Sequence, residues 1–155
     1  MSNGIRFKLG NSENYSDGVS VIPNVSFLID TVTTNTKSYT VPANEVWRVN
    51  WADIVYTSSA TVGNRVVDMS VELNGAVILR TAAGTPQAAS TTVNNQFFAG
   101  LVRVTTISTN DIPVSLPHEC WIPAGATLKF YDRANISATD SMLVNVCVSK
   151  YKGVF

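Results

Sequence analysis

The sequence predicts an all-β protein, an antiparallel β-sandwich of jelly-roll type made of two Greek-key halves. Three observations support this prediction. Residues 41–49 (VPANEVWRV) are echoed by residues 122–130 (IPAGATLKF). Ser, Thr and Asn form about three tenths of the chain, a composition that favours strands and turns. Segments of alternating apolar and polar residues recur with turn formers between them, roughly every ten residues, as in sandwiches.

The two copies of the repeat predict two equivalent corners. In each copy a proline ends one strand, and Asn44 or Gly125 is expected to adopt the positive φ of a tight turn. An alternating strand, a loop and a second alternating strand follow each corner. A corner–strand–loop–strand unit used twice in one small domain indicates two Greek keys, and hence a jelly roll.

Strands are predicted in order from the N-terminal side. Residues 26–32 and 37–41 form the first two, separated by a Thr-Asn turn. Residues 45–57 form a long third strand, in which Trp47, Val49 and Trp51 share one face. Ile54 and Tyr56 occupy even-numbered positions, whereas the three residues of that face occupy odd-numbered ones. We therefore expect a β-bulge near residues 52–53, because one extra residue reverses the facing of those that follow.

The remaining strands follow the same period of two. Residues 66–74 alternate cleanly, with Val67, Met69, Val71 and Leu73 on one face. Asn74-Gly75 is a strong hairpin signal. Further strands are predicted at residues 76–81, 94–107 (interrupted near Gly100), 112–116, 119–122, 126–132 and 142–151.

The chain of 155 residues fits one domain at residues 25–155, preceded by an N-terminal arm at residues 1–24. The arm is polar and rich in Gly and Asn, with one short alternating piece that contains Arg6 and Phe7. We expect these two residues to contact a neighbouring subunit. The alternative is an unstructured terminus.

The charge pattern argues against several partners. The formal net charge is +0 and charged residues are only 14% of the chain, without a basic cluster. Nucleic acid and anionic membranes are therefore not expected as partners. Weak net repulsion between copies favours self-association. The chain begins without the apolar core of a signal peptide, which predicts synthesis in the cytoplasm.

Catalytic, cofactor and metal sites are not predicted. His118 is the sole histidine and is expected in a loop; Cys120 and Cys147 are expected to be buried free thiols, although a bridge between them is possible. The pairs Asp132 with Asp140, and Asp30 with Asp53, could be proposed for glycoside hydrolysis. We disfavour this because loop aspartates usually cap turns.

Two stretches carry a resemblance to a known group of proteins. The first contains WRV at 47–49 and YTSSATVGNR at 56–65. The second contains WIPAG at 121–125, FYDRAN at 130–135 and DSM at 140–142. This pattern resembles small β-sandwich virion proteins of tailed bacteriophages, including capsid cement (decoration) proteins. The resemblance implies a location on the capsid surface, a homotrimer and the major capsid protein as partner.

The loops within those stretches supply the candidate contact residues. Asn64, Arg65, Arg133 and Asp140 lie in loops that occupy equivalent places in the two halves, so we expect them at corresponding ends of the sandwich. They suit contacts between subunits, or buttressing within the domain, with Arg65 bound to a carboxylate of its own chain.

Three other functions remain open. A head–tail adaptor, tail or fibre component would use the same fold. A carbohydrate-binding module would expose Trp47, Trp51 and Trp121 as a sugar platform, whereas core packing of these tryptophans is the favoured interpretation. An enzyme is disfavoured.

Overall fold

A computed structural model describes residues 23–100, 108, 110–134 and 136–152. These residues form ten strands, and no helix among them has the length and apolarity that a membrane span requires. The strands are β1 (Asn24–Thr34), β2 (Thr36–Thr40), β3 (Glu45–Thr57), β4 (Val67–Leu73), β5 (Ala76–Ala82), β6 (Thr92–Ala99), β7 (Asp111–Leu116), β8 (Cys120–Ile122), β9 (Thr127–Asp132) and β10 (Ser141–Lys152).

The strands form two sheets. The first sheet has the order β1-β10-β3-β6-β7, with β8 also paired to β3, and the second has the order β2-β9-β4-β5. The all-β, two-sheet prediction is confirmed. Successive strands alternate between the two sheets from β1 to β4 and again from β9 to β10. This order is compatible with a jelly roll, and the jelly-roll connectivity stays a prediction.

One strand pair departs from the antiparallel prediction. β6 and β7 are parallel, with Asn94 opposite Asp111 and Ala99 opposite Leu116. Gly100 ends β6 with a φ of +77°, where the sequence predicted an interruption. Residues 101–107, predicted to continue the strand, lie outside the described residues.

The core lies between the inner faces of the two sheets. The predicted inner face of β4 is correct, since Val67, Met69 and Val71 are buried and Leu73 packs against them. Alternate residues of β10 complete the core from the other sheet, as the period of two requires. They are Met142, Val144, Val146 and Val148.

The predicted bulge in β3 is present, two residues earlier than expected. Trp51 pairs with Cys147 and Val49 with Val148, so Asn50 is the extra residue. The bulge places Asn50 and Trp51 consecutively on the outer side, and Ala52 begins the second buried series. The prediction that Trp51 shares the face of Trp47 is therefore wrong.

The two repeated corners contact each other. The N–H of Val41 donates to the carbonyl oxygen of Ala126 at 2.9 Å, and the N–H of Gly125 donates to that of Val41 at 3.0 Å. Gly125 has the predicted positive φ of +76°, whereas Asn44 is not among the positive-φ residues of the described chain. Asn74 and Gly75 both have positive φ, confirming the predicted hairpin.

Candidate functional site

A buried arginine–aspartate pair lies at one end of the sandwich. Arg65 and Asp140 are 0% and 1% exposed. Arg65 Nε donates to Asp140 Oδ2 at 3.0 Å, and Nη2 donates to Oδ1 at 3.3 Å. Arg65 Nη1 donates to the carbonyl oxygen of Gly63 at 2.6 Å, and the N–H of Ser59 donates to Asp140 Oδ1 at 2.7 Å. These bonds offset the cost of removing two charges from water.

Tyr56 connects this pair to a second carboxylate. Its hydroxyl lies 3.1 Å from Asp140 Oδ2 and 3.2 Å from Asp132 Oδ2. Asp132 Oδ1 accepts the N–H groups of Val66 and Ala134 at 3.2 and 3.0 Å. The structure thus brings together the two aspartates considered for hydrolysis, but donors already engage all four of their oxygens. The arrangement suits buttressing of the fold.

The electrostatics keep the pair ionised. Burial alone would raise the pKa of Asp140, but hydrogen bonds from Arg65, Ser59 and Tyr56 outweigh it and hold that pKa well below its ordinary value. The hydrogen bond to Asp140 raises the pKa of Arg65. Burial, with the charges of Asp132 and Asp140, raises the pKa of Tyr56, so its phenol stays neutral.

Three loops meet at this network. Gly63 has a φ of +145°, and a Cβ there would lie 2.5 Å from Cδ1 of Ile136, so the two predicted loops are in contact. Arg65 and Gln87 exchange two backbone hydrogen bonds of 2.8 Å. The amide of Gln87 donates to the carbonyl oxygen of Tyr56 at 3.0 Å. The two loops that were expected at corresponding ends of the sandwich therefore contact each other, together with the segment around Gln87.

The four candidate loop residues separate into two groups. Arg65 and Asp140 are inside the domain and bind each other, so the buttressing alternative describes them and their burial corrects the proposed contact with another subunit. Asn64 and Arg133 are exposed, and a contact role for them stays a prediction. Arg6 and Phe7 lie outside the described residues.

A second ion cluster lies on the outer face of the second sheet. Asp68 is fully buried beneath two arginines that come from different segments. Arg80 Nε donates to Asp68 Oδ2 at 2.5 Å; Arg133 donates from Nε to Oδ2 and from Nη2 to Oδ1, both at 3.0 Å. The arginine side chains remain 44% and 48% exposed. Sequence reasoning missed Asp68 and Arg80, although the alternation of β4 already placed Asp68 on an outer face.

The outer face of the first sheet carries exposed apolar side chains. Val25, Phe27 and Ile29 alternate along β1 and are 55%, 57% and 67% exposed. The ring of Phe27 lies 6.1 Å from that of Trp51, and Leu143 of β10 is also exposed. We call these five residues the apolar patch. Isolated surface apolar residues are ordinary, but a contiguous patch marks a contact surface.

Polar acceptors without donors adjoin the apolar patch. Asp53 Oδ1, Asn94 Oδ1 and Asn145 Oδ1 are buried atoms for which the described chain supplies no hydrogen-bond partner. Asn145 is directly opposite Asp53, and Asn94 is opposite Val55, the next outward residue of β3. We call these three residues the acceptor cluster. Burial, together with the charge of Asp111, raises the pKa of Asp53 despite a hydrogen bond with Asn94.

The cysteines, the histidine and the second pair of aspartates do not form a site. Cys120 and Cys147 are free and buried, as predicted. Alternation places them on opposite sides of the first sheet, and burial raises the pKa of Cys120 to about 11. His118 is in an exposed loop. Asp30 binds Lys37 at 3.0 Å and faces away from Asp53, so these aspartates do not form a pair.

The three tryptophans do not share one environment. Trp47 is buried, and its Nε1 donates to Glu45 at 2.7 Å, which confirms core packing for this residue. Trp51 and Trp121 are half-buried on the outer face of the first sheet, so the core interpretation is wrong for them. Trp121 lies 5.1 Å from the ring of Tyr151.

No group of three or more His, Cys, Asp or Glu residues suited to a metal ion occurs in the described part of the chain. Comparisons of the chain with protein-family models, curated proteins and solved structures give no significant match.

Proposed function

We propose that this protein is a structural component of a tailed-bacteriophage virion, a cement protein that binds the outer surface of the head. The observation that carries the proposal is the apolar patch on β1, because water-exposed Val, Phe and Ile side chains in a row are characteristic of a surface that becomes covered on assembly, by a second copy or by another virion protein. The phage setting comes from the sequence resemblance.

The proposed mechanism is stabilisation of an assembled shell. A docked trimer bridges several major capsid subunits and covers surface that is correctly arranged only after assembly. Because it binds the assembled state and not the separate subunits, it shifts the equilibrium toward the shell by mass action. The edge of β1 that no described strand pairs can also bind an extended segment, since main-chain hydrogen bonds there supply affinity without a deep pocket.

The buried ion network suits this role. The Arg65–Asp140 pair joins loops that are distant in sequence and fixes one end of the sandwich. A rigid scaffold presents its contact surfaces with little loss of conformational entropy on binding. The network therefore contributes to binding through the shape of the domain, without touching the partner.

Locating the protein on purified virions tests the proposal. We expect electron cryomicroscopy of particles that contain it to show density repeated over the head lattice, at three-fold positions. A head–tail adaptor, tail or fibre component would instead appear in a few copies at one vertex or on the tail. That result, or particles without the protein, would overturn the cement role.

The N-terminal arm provides a second test. Deleting residues 1–20 is expected to lower occupancy on the head while circular dichroism of the isolated domain stays unchanged. The matched control is the substitution Val62→Asp, which changes a 91% exposed loop residue away from the apolar patch. Unchanged occupancy after the deletion would exclude a contact role for the arm.

A carbohydrate-binding module is the second candidate, favoured by the half-exposed ring pair of Trp121 and Tyr151. Arg48 lies 5.8 Å from the Trp121 ring centroid and supplies a polar neighbour. Sugar rings stack on such aromatic faces. Binding on a glycan array that disappears in the variant Trp121→Ala would support this function, and an array without binding would exclude it.

A further inference from the structure

We propose that two different surfaces of this domain bind each other between copies: the outer face of the first sheet docks onto the outer face of the second sheet of another molecule. The first surface consists of the apolar patch and the acceptor cluster. The second, which we call the cationic face, consists of Val77, Ile78, Arg80, Lys129, Tyr131 and Arg133.

A partner could supply the first surface with apolar cover and with hydrogen-bond donors. The apolar side chains of this surface are open to solvent, and β1 ends the sheet with one edge that no described strand pairs. Beside them, Asp53, Asn94 and Asn145 each present a buried oxygen to which no donor among the described residues binds. Leaving such acceptors unmatched is costly, so the occupant should carry both apolar groups and N–H donors.

A shallow depression lies between the apolar patch and the acceptor cluster. It has a volume of about 130 Å³ and is lined by Ile29, Asp53, Val55, Leu143 and Asn145, with parts of neighbouring residues. A cavity of about 150 Å³ accepts a benzene molecule, so this depression accommodates one incoming side chain. Its mixed lining suits a chain with an apolar stem and a polar end, such as arginine, lysine or tyrosine.

The cationic face presents those groups. A β-bulge in β5 places Val77 and Ile78 together on the outer side, where they are 55% and 52% exposed. Arg80 follows on the same face, beside Tyr131, whose ring centroid lies 5.8 Å from the Arg80 guanidinium and 5.3 Å from Lys129 Nζ. Apolar and cationic groups therefore occur side by side, which matches the adjacent apolar and acceptor groups of the first surface.

The charges of the two surfaces are opposite in sign. Asp53 and the adjacent Asp111 give the first surface negative charge without a nearby described cation on β6 or β10. Arg80, Lys129 and Arg133 outnumber Asp68 and Glu72 on the second. Complementary patches of this kind orient two molecules and suppress other pairings. A second copy of the chain is thus the occupant that the observations favour.

Contact between two unlike surfaces is heterologous, so a pair of molecules retains one free surface of each kind. Such contacts close into rings when the rotation between copies permits, and otherwise extend as filaments. The inference specifies the self-association within the proposed function. Its test uses the isolated protein in solution, so its outcome is independent of whether the protein occurs on virions.

The test measures the mass of the full-length protein by light scattering and sedimentation. At roughly 100 μM, where a contact of micromolar affinity is occupied, we expect the wild type to be oligomeric. Phe27→Asp and Ile78→Asp place a charge in either surface and are each expected to reduce the mass to that of a monomer. Val62→Asp is the control and should keep the wild-type mass. Circular dichroism verifies that all three are folded.

Mixing the two monomeric variants distinguishes the geometry. Phe27→Asp keeps its cationic face intact and Ile78→Asp keeps its apolar patch, so an equimolar mixture should form a 1:1 dimer and nothing larger. If Ile78→Asp alone still assembles like the wild type, the contact is symmetric through β1 and the proposal is wrong. A monomeric wild type also overturns it, leaving residues 1–22 or a different protein to cover the patch.

Thermal unfolding with and without calcium chloride tests whether the acceptor cluster binds a cation instead. If calcium chloride raises the thermal stability of the wild type and Asp53→Asn abolishes this rise, the acceptor cluster binds a cation and has no part in the contact.

Discussion

Two arginine–aspartate clusters in this domain have similar chemistry and opposite surroundings. In one, Arg65 and Asp140 are both buried and their donors and acceptors are matched within the domain. In the other, Asp68 is just as buried, but Arg80 and Arg133 that cover it are half in water. We expect exposure of the arginine, more than the presence of an ion pair, to decide whether its loss is costly.

Removing the buried arginine is expected to have the largest effect. Arg65→Ala leaves Asp140 as an uncompensated charge in the interior, and breaking such a pair typically costs about 3–5 kcal/mol. Urea unfolding followed by tryptophan fluorescence measures this loss. A decrease below about 1 kcal/mol would mean that water enters the site and that the two clusters are energetically alike.

Acid should act on the same pair. The folded-state pKa of Asp140 is depressed below the ordinary value of 3.8. Its stabilising contribution is therefore fully present above about pH 4 and is lost as the pH falls through the folded-state pKa. We therefore expect stability to decline below about pH 4, with a shallower decline in Asp140→Asn, which is less stable at neutral pH. Equal slopes for the two proteins between pH 4 and 2 would contradict this.

Substitution of Gly63 is expected to destabilise the domain less than removal of Arg65 and more than removal of a half-exposed arginine. A side chain at this position must adopt φ of +145° and displace Ile136, and the Gly63 carbonyl oxygen accepts a hydrogen bond from Arg65. Gly63→Val is expected to lower the free energy of unfolding by about 1–3 kcal/mol.

Gly125→Val is the matched control for the Gly63 prediction. Its φ of +76° also lies in the range that valine rarely adopts, but a Cβ there meets no atom within 4 Å. Thermal unfolding of both variants separates backbone strain, which they share, from disturbance of the ion network. An equal loss in both would show that the network tolerates movement of the loop.

Most strands could be predicted because a period of two is a local property of the sequence. Residues 45–57 match β3, and Asn74-Gly75 specified its hairpin through backbone preference alone. The bulge was recognised from the change of parity, but its position was not, because Trp51 fits either face by composition. The parallel pairing of β6 with β7 has no local signal, since it depends on the path of the intervening chain.

The candidate site was less predictable for a similar reason. The loops were expected at corresponding ends of the sandwich, and pairing of Arg65 with a carboxylate of its own chain was recognised as an alternative. Which carboxylate it binds is decided across 75 positions of sequence. The acceptor cluster likewise arises from three strands, β3, β6 and β10, whose order in the sheet the sequence does not specify.

Removing a half-exposed arginine is expected to have the smallest effect. In Arg133→Ala, Asp68 keeps Arg80 as a partner and water reaches the vacated side, so the free energy of unfolding should fall by less than about 1 kcal/mol. Urea unfolding at low and high salt measures it, and the small loss should shrink further in high salt because exposed pairs are screened. A loss as large as that of Arg65→Ala would show that the buried carboxylate, and not the exposure of its partner, controls the energy of both clusters.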